Sequence, residues 1–321
     1  MNDRLDKEII VPEHYCGQRI DVVLAQLFSE FSRAQLSHWL KEGVITINQR
    51  LFKPKDKVYG GEHVLLRAPT LHFEETSCCA EQIPLDIVFE DDYLIVINKP
   101  AGLVVHPGAG NPRHTLVNAL LNHHPALHHL PRAGIVHRLD KDTTGLLIVA
   151  KTLAAHASLI RQMQVREIQR CYLALVYGHV IAGGKLDTFY GRHPRNRLKM
   201  AVRQQGKEAI TEFSVRTQYQ YFTLLEVKLL TGRTHQIRVH MAHMNHPIVG
   251  DPLYGGRTRF PAGTTSEMRQ MLQAFKRQAL HAYFLSFRHP DSQEELTFSV
   301  PLPDDFQRLL TQVGIYAKSS S

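Results

Sequence analysis

The chain has 321 residues, of which 43% are hydrophobic and 21% charged, the balance of a globular protein rather than a disordered or fibrous one. Its net charge of +8 favours a polyanionic partner, although a mildly basic enzyme without such a partner has the same charge. Its four cysteines show no CxxC spacing, and no run reaches the roughly 18 apolar residues of a membrane span, so neither a disulfide framework, a zinc knuckle nor a membrane protein is indicated.

The amino terminus, residues 1–10, is charged and lacks the apolar run of a signal peptide. We therefore expect a reducing, cytoplasmic compartment and no membrane partner. Nothing in the sequence suggests an obligate dimer, so a monomer is expected.

A small amino-terminal module is predicted over residues 14–70. Apolar residues recur at helical spacing over residues 20–28. A second helix is predicted to begin at Ser32, because Gln35 three residues later completes a capping-box pattern. It is predicted to end at Gly43, because glycine readily takes the left-handed conformation that ends a helix. Residues 44–47 and 64–66 are predicted strands.

Two short helices followed by a small hairpin sheet, with FSRAQLSHWLKEGVITIN at their junction, resemble the S-4-like RNA-binding module. The resemblance implies that Arg33, in the first turn of the second helix, and Lys41, near its end, bind RNA. The alternative is an ordinary small α/β module with a charged exterior.

A polar, acidic linker is predicted over residues 71–82, and a larger domain over residues 83–321. Apolar runs at residues 87–89 and 94–97 flank two aspartates, which predicts a tight antiparallel hairpin. Residues 116–121 are helical in pattern, with Thr115 placed to cap them.

Further strands are predicted at residues 145–150 and 171–177, and a second hairpin joins residues 213–217 to residues 222–230. Many strands with few crossover helices indicate an α+β fold with a mixed, largely antiparallel sheet. The absence of an alternating βαβ pattern argues against a doubly wound dinucleotide-binding fold.

Positive charge is concentrated between residues 185 and 240, where eleven Lys and Arg stand against four Asp and Glu. Such a concentration favours a phosphate-binding surface over an evenly solvated basic face. Arg195, Lys199 and Arg233 lie in this stretch and are candidate RNA-binding residues.

A charged loop that leads into an apolar strand, GIVHRLDKDTTGLL at residues 134–147, contains the candidate catalytic carboxylate Asp140. Its cationic neighbours favour the ionised carboxylate, which suits a nucleophile or an electrostatic stabiliser rather than a general acid. Charged loops before strands are common, so this pattern alone assigns no activity.

The string HRLDKDTTGLLIVAK resembles the signature loop of the RluA-type pseudouridine synthases, which carries their catalytic Asp. Three further segments match this family in the same order. They are INKPAGLVVHPG at residues 97–108, RCYLALVYG at residues 170–178, and TGRTHQIRVHM at residues 231–241 together with HPIVGDPLYGG at residues 246–256. The amino-acid sequences of these segments are most similar to those of the RluD subgroup, which modifies large-subunit ribosomal RNA.

The resemblance implies a role for each matching residue. Asp140 is the catalytic carboxylate, Tyr172 stacks on the target uracil and helps to remove its C5 proton, and Arg238 pairs with Asp140. Arg138 occupies the gap that the extruded nucleotide leaves in the RNA. The implied partner is large-subunit ribosomal RNA or an assembling pre-50S particle, and no cofactor is needed because the reaction is an isomerisation.

The chemistry leaves three routes open. An ionised carboxylate can add to the anomeric carbon of the ribose, as in glycosidases that form a covalent intermediate. It can instead remove a ribose proton on a glycal route, or add to the pyrimidine ring. The sequence does not distinguish among them.

Two other site readings are weaker. Asp142 follows Asp140 by two residues, as in a paired-carboxylate glycosidase, but a solvated loop acid explains it. The histidine pairs at residues 123–124 and 128–129 are spaced like zinc ligands, but Pro125 interrupts any helix there, and no metal is expected. The remaining alternatives are a family member acting on other ribosomal or transfer RNA sites, and a non-catalytic RNA-binding or ribosome assembly protein.

Overall fold

The computed structural model describes residues 4–28, 31, 33–69, 79–108, 111–196, 198–256, 260 and 264–318. The chain divides into two compact units, Met1–Glu75 and Thr76–Ser321. Each unit has its own hydrophobic core. Most of the linker predicted at residues 71–82 lies outside the described residues, as does Ser32, the predicted start of the second helix.

The described part of the first unit combines two α-helices with a three-stranded antiparallel sheet in the order β1-β3-β2. Its elements are β1 (Arg4–Ile10), α1 (Ile20–Leu27), α2 (Arg33–Glu42), β2 (Ile45–Ile47) and β3 (His63–Pro69). Both predicted helices and both predicted strands are present. Gly43, at φ +75°, follows the end of α2 as expected.

Strand β1 was not predicted from the sequence, and it begins before the predicted module start at residue 14. Its sequence, RLDKEII, lacks the alternation of apolar and polar residues by which a half-buried strand is recognised. The strand forms because β3 offers its free edge, along which all seven residues of β1 are paired. Tertiary pairing thus decides this element.

In the described part of the second unit, ten strands form one sheet in the order β4-β5-β6-β12-β7-β11-β10-β8-β9, with β13 paired to β12. The strands are β4 (Ile87–Glu90), β5 (Leu94–Lys99), β6 (Thr144–Ala150), β7 (Gln169–Tyr177), β8 (Gly184–Arg192), β9 (Met200–Arg203), β10 (Lys207–Gln218), β11 (Phe222–Leu229), β12 (Leu280–Arg288) and β13 (Glu295–Ser299). The helices are α3 (Leu116–His123), α4 (Leu153–Gln164), α5 (Gln236–His243), α6 (Ser266–Ala274) and α7 (Asp304–Lys318).

Among these described strands, every neighbouring pair is antiparallel except β6 with β12. The predicted α+β class with a mixed, largely antiparallel sheet is therefore confirmed. Both predicted hairpins are present as β4–β5 and β10–β11. Helix α3 begins at Leu116 behind Thr115, whose side chain and that of Asn118 form a capping box.

Residues 94–97 of β5 and 146–150 of β6 are continuously apolar because helices cover both faces of the sheet there. Alternate residues, such as Ile95 and Leu147, join the core that includes α3. The residues between them, such as Leu94 and Leu146, join the core that includes α4. Burial on two faces removes the alternation expected of a half-exposed strand.

Gly145 allows β6 and β12 to approach at the point where the loop that carries Asp140 enters the sheet. Its φ is +111°, and a Cβ atom at this position would lie 2.2 Å from the carbonyl oxygen of Ala282 on β12. Only glycine satisfies both conditions. The loop that precedes Gly145 is thereby fixed against β12. No helix within the described ranges is long and apolar enough to cross a membrane.

Candidate active site

Asp140 lies in the loop between a short 3-10 turn, Pro131–Gly134, and strand β6. The residues just before β12 hold this loop. Arg277 donates from Nη1 to the carbonyl oxygen of Asp142 (3.3 Å), and Gln278 donates from Nε2 to Oγ1 of Thr143 (2.9 Å). These contacts hold two residues that lie just after Asp140 in the loop, and the Asp140 side chain remains 14% exposed.

Arg238, on helix α5, contacts two carboxylates at once. Its Nη1 donates to Oδ2 of Asp140 (2.9 Å), while Nε and Nη2 donate to Oδ2 and Oδ1 of Asp251 (2.7 and 2.9 Å). Burial opposes the charged form, but hydrogen bonds and charge from Asp251 and Asp140 raise the pKa of Arg238 above its usual value. Arg238 therefore stays cationic and orients the Asp140 carboxylate.

Helix α5 is anchored to the sheet by buried hydrogen bonds. Gln236 donates to Oγ1 of Thr211 (2.9 Å) and accepts from Oγ1 of Thr231 (2.8 Å). The ring of His240 contacts the hydroxyls of Thr211 (2.8 Å) and Thr188 (3.0 Å). Burial lowers the pKa of His240 to about 4, so its ring is neutral near pH 7. This network fixes the helix turn that presents Arg238.

The second oxygen of the Asp140 carboxylate, Oδ1, faces His235 at 3.9 Å from Nε2. His235 has a left-handed backbone (φ 59°) just before α5, and its Nδ1 lies 2.9 Å from the hydroxyl of Tyr254. The same hydroxyl accepts a hydrogen bond from the backbone N–H of Met200 (2.9 Å), and the Tyr254 ring packs 5.1 Å from the Arg238 guanidinium. A hydroxyl that accepts from Met200 can donate to Nδ1, and in that tautomer the proton of the imidazole lies on Nε2, towards Asp140.

Tyr172, on β7, is buried in the core beside this site. Burial raises the pKa of Tyr172 to about 12; the charge of Arg170 opposes this shift and that of Asp140 adds to it. The phenol therefore keeps its proton at neutral pH.

Lys99, at the end of β5, is fully buried and joins two motifs. Its Nζ donates to the carbonyl oxygens of Pro100 (2.7 Å), Leu103 (3.0 Å) and Lys141 (2.9 Å). Burial lowers the pKa of Lys99 to about 7, while the charges of Asp142 and Asp140 favour its ammonium form. Three carbonyl acceptors use all three protons of the ammonium, which ties the INKP segment to the loop that carries Asp140.

Comparison with known proteins agrees with this geometry. A family model described as RNA pseudouridylate synthase matches residues 93–243, which include Asp140, Tyr172 and Arg238. A ribosomal large subunit pseudouridine synthase D from Xanthomonas campestris pv. campestris is 50% identical over 95% of this chain and 92% of its own length. The protein of the same name from Pseudomonas aeruginosa is 48% identical over 97% of each chain. The chain belongs to the pseudouridine synthase family.

Within that family it is an RluA-type enzyme of the RluD subgroup. Solved structures agree on the fold of the pseudouridine synthase unit. Human RNA pseudouridylate synthase domain containing 4 aligns with a TM-score of 0.55 and 26% identity over 71% of this chain and 92% of its own. Human RNA pseudouridylate synthase domain containing 1 aligns with a TM-score of 0.54 and 25% identity over 73% of this chain and 96% of its own.

The structure brings some of the predicted site residues of this pseudouridine synthase together. Asp140 and Arg238 are in contact, and Tyr172 lies close enough for the charge of Asp140 to affect its pKa. Arg138 is exposed on the catalytic loop. Lys199 lies 5.8 Å from the ring of Tyr254, which also packs on Arg238.

The other candidate RNA-binding residues lie away from these contacts. Arg195 is exposed in the turn between β8 and β9, and Arg233 is exposed before α5. Lys41 is exposed in the last turn of α2. Arg33 donates from Nη2 to Asp21 (2.8 Å), which Arg19 also contacts, so part of its charge is already paired.

Sequence reasoning did not single out Asp251, His235, Tyr254 or Lys99. All four lie in segments that match the family, so the motif strings contained the signal. The motif sequences did not show which of their residues lie near Asp140. Asp251, for example, is thirteen positions after Arg238 and does not belong to the same helix. No group of three or more potential metal ligands occurs among the described residues, and His123 contacts Glu90 at 2.8 Å.

Proposed function

We propose that this chain converts specific uridines of large-subunit ribosomal RNA into pseudouridine, with Asp140 as the catalytic carboxylate. The observation that carries the assignment of Asp140 is its contact with Arg238, which occupies Oδ2, whereas no Lys or Arg in the described part of the chain contacts Oδ1. The substrate is inferred from relatives that share about half of their residues with this chain and are named ribosomal large subunit pseudouridine synthase D.

The reaction rearranges the substrate without adding or removing atoms. The bond between N1 of uracil and C1′ of ribose breaks, the base turns, and C5 of uracil bonds to C1′. The proton on C5 is lost and N1 gains one, so no redox cofactor takes part. We propose Oδ1 of Asp140 as the reactive oxygen, whichever of the ribose-adduct, glycal and ring-adduct routes applies.

Arg238 and His235 support this carboxylate from two sides. Arg238 is itself held by Asp251, so its charge is directed towards Asp140 in a fixed geometry. A preorganised cation beside a reacting carboxylate needs little reorganisation during the reaction. His235 adds an N–H near Oδ1, close enough for a small shift to create a hydrogen bond.

Tyr172 and Arg138 are assigned to the nucleotide rather than to the bond that breaks. The target base must leave its stack, at a cost of a few kcal/mol. The aromatic ring of Tyr172 suits stacking on that base, whereas its raised pKa disfavours removal of the C5 proton by this residue as a phenolate. The exposed Arg138 is assigned to the gap in the RNA.

The amino-terminal unit is proposed to be an S-4-like RNA-binding domain, with Arg33 and Lys41 on its RNA-binding surface. Arg195, Lys199 and Arg233 are proposed to add phosphate contacts on the catalytic domain. A cytoplasmic location, a monomeric state and the choice between free ribosomal RNA and a pre-50S particle stay predictions.

Mapping pseudouridines tests the proposal. The purified protein and its Asp140→Asn variant are incubated with unmodified large-subunit ribosomal RNA and, in parallel, with transfer RNA. Carbodiimide labelling and reverse-transcriptase stops then locate the products. We expect stops at a few ribosomal uridines with the wild type only, and nearly equal RNA affinity for the variant, since the substitution keeps the size of the side chain.

Three other results would contradict parts of the proposal. Turnover by Asp140→Asn would reject Asp140 as the catalyst. Stops confined to transfer RNA would reject the proposed substrate, and binding without stops in either RNA or in pre-50S particles would favour a non-catalytic binding protein.

A further inference from the structure

Arg170, at the start of β7, is a buried cation without a partner. The residue is only 7% exposed. Within the described ranges no group accepts a hydrogen bond from its guanidinium, and its Nε is buried and unpaired. Burial lowers the pKa of Arg170, opposed by the nearby Tyr172. Buried arginines are ordinarily paired with a carboxylate or another acceptor, so this arrangement requires an explanation.

A second unpaired donor lies close to Arg170. Burial and the charge of Arg170 lower the pKa of His137 to about 3, so its ring is neutral. Its Nε2 accepts a hydrogen bond from the backbone N–H of Ile148 (3.1 Å), which places the ring proton on Nδ1. That Nδ1 is also buried without a partner. Two neighbouring groups therefore donate and neither has an acceptor.

The backbone of Gly232, which lies at the surface, closely approaches Nη1 of this guanidinium. A Cβ atom on Gly232 would lie 2.9 Å from Nη1 of Arg170, closer than such atoms approach in proteins. The backbone of Gly232 is not in the left-handed region, so its conformation does not require glycine. Gly232 is exposed. The missing side chain thus serves to leave room beside Nη1.

The position of Arg170 connects it to the active site. Residues two apart on a strand share a face, so Arg170 lies on the same face of β7 as Tyr172. His137 belongs to the loop that carries Asp140, and Gly232 precedes the helix that carries Arg238. The unpaired guanidinium therefore lies between the two segments that build the catalytic site.

We infer that Arg170, reached past Gly232, is an anion site that binds a phosphodiester of the RNA backbone next to the target nucleotide. A guanidinium offers parallel N–H donors that match two phosphate oxygens, and it retains its charge when buried. The phosphate supplies the acceptor that the protein lacks. The identification of the anion as an RNA phosphate rests on the proposed function. The observation that the donors of Arg170 and His137 are unpaired is independent of it.

The test measures RNA binding and protein stability in Arg170→Met, with Arg161→Gln on α4 as a matched loss of one exposed charge. We expect Arg170→Met to bind the ribosomal RNA fragment about tenfold more weakly. The slope of log Kd against log salt should fall by about one. The free variant should be at least as stable as the wild type, because the substitution removes an unpaired buried charge. Arg161→Gln should show no comparable loss of affinity.

Single phosphates flanking the modified uridine are then replaced by neutral methylphosphonates. One replacement should weaken wild-type binding about tenfold and have little effect on Arg170→Met, because the contact is already lost. Gly232→Ala, which keeps the charge but fills the approach to Nη1, should also lose sensitivity to that replacement.

Two outcomes would overturn the inference. One is an Arg170→Met protein that remains sensitive to every replacement to which the wild type responds. The other is a less stable variant with unchanged RNA affinity, as expected of a purely structural arginine. Binding is measured without turnover, so absence of pseudouridine in the wild-type reaction would reject the proposed function and leave the comparison of RNA affinity and stability between Arg170→Met and Arg161→Gln intact.

Discussion

Arg238 carries one positive charge but contacts two carboxylates, Asp140 and Asp251, which are held unequally. Asp251 takes two of its hydrogen bonds and is fully buried, whereas Asp140 takes one and remains partly exposed. Asp251 therefore holds the arginine, and Asp140 is the carboxylate that can reach a substrate. A buried ion pair of this kind is costly to break from one side, because the remaining charge is left unpaired.

Asp251→Asn should lower the free energy of unfolding by about 3 kcal/mol, because the buried Arg238 loses its main counter-charge. Turnover should fall as well, since Arg238 no longer has a fixed orientation towards Asp140. Urea unfolding and single-turnover rates measure the two effects.

Asp305→Asn is the matched control for that substitution. Asp305 also binds an arginine through two hydrogen bonds, from Arg277 at 2.6 and 2.7 Å, but its side chain is 46% exposed. Exposed pairs contribute at most about 1 kcal/mol. Equal losses for the two variants would contradict the distinction drawn between the buried and the exposed pair.

Three buried histidines predict how stability depends on acidity. Burial lowers the pKa of His137 to about 3, and those of His240 and His281 to about 4. The unfolded chain, with histidine pKa values near 6.5, binds more protons than the folded chain below that pH. Stability should therefore fall as the pH decreases from about 6.5 towards 4, before carboxylates with lowered pKa values are protonated.

His240→Gln tests this origin of the acid sensitivity. A glutamine can still bond to Thr188 and Thr211 but does not titrate. The variant should lose less stability than the wild type between pH 7 and pH 4.5, by up to about 3 kcal/mol. Identical pH profiles from urea unfolding would show that His240 is not responsible.

At the scale of elements, the contact between β6 and β12 places the catalytic loop. Gly145→Ala adds a methyl group that collides with the carbonyl of Ala282, at a residue whose φ of +111° already disfavours a side chain. We expect a loss of several kcal/mol in stability and a large fall in kcat, because the loop five residues upstream must move.

Gly102→Ala is the control that separates the steric collision of the added methyl group from the cost of a positive φ angle. Gly102 has a φ of +83°, but a Cβ atom there would have no neighbour within 4 Å. The expected cost is about 1 kcal/mol, from the left-handed conformation alone. Thermal unfolding of both variants measures the difference, and similar melting temperatures would argue against the close approach of β6 to β12.

Several elements with local cues were predicted, although the capped helices α4 and α6 were not, and strands placed by distant partners were missed. The β4–β5 hairpin and α3 have runs of apolar residues, a tight turn or a capping box within a few residues. Strand β12 carries no such cue, because its residues are placed by pairing with β6, β7 and β13. Strand β1 likewise depends on the free edge of β3.

At the scale of the whole molecule, the two units have separate cores, so each is expected to fold without the other. A chain that begins at residue 76 should retain chemistry on ribosomal RNA while binding it more weakly and less selectively. Salt titrations of both chains should give a smaller slope for the truncated one, since the phosphate contacts of the amino-terminal unit are lost. Unchanged affinity and site selectivity would contradict RNA binding by that unit.

The sequence by itself determined the fold class and the family, because each rests on local patterns or on contiguous motifs, and the same motifs predicted Asp140, Tyr172 and Arg238 as site residues. Only the tertiary structure decided how the site works. It showed that Asp251 holds Arg238, that His235 faces Oδ1 of Asp140, and that Arg170 is buried with no hydrogen-bond acceptor among the residues that the structure describes. The spacing of residues along the chain determines which of them share a helix or strand. Charge pairing and burial depend instead on which helices and strands pack together, and that depends on segments far apart in the sequence.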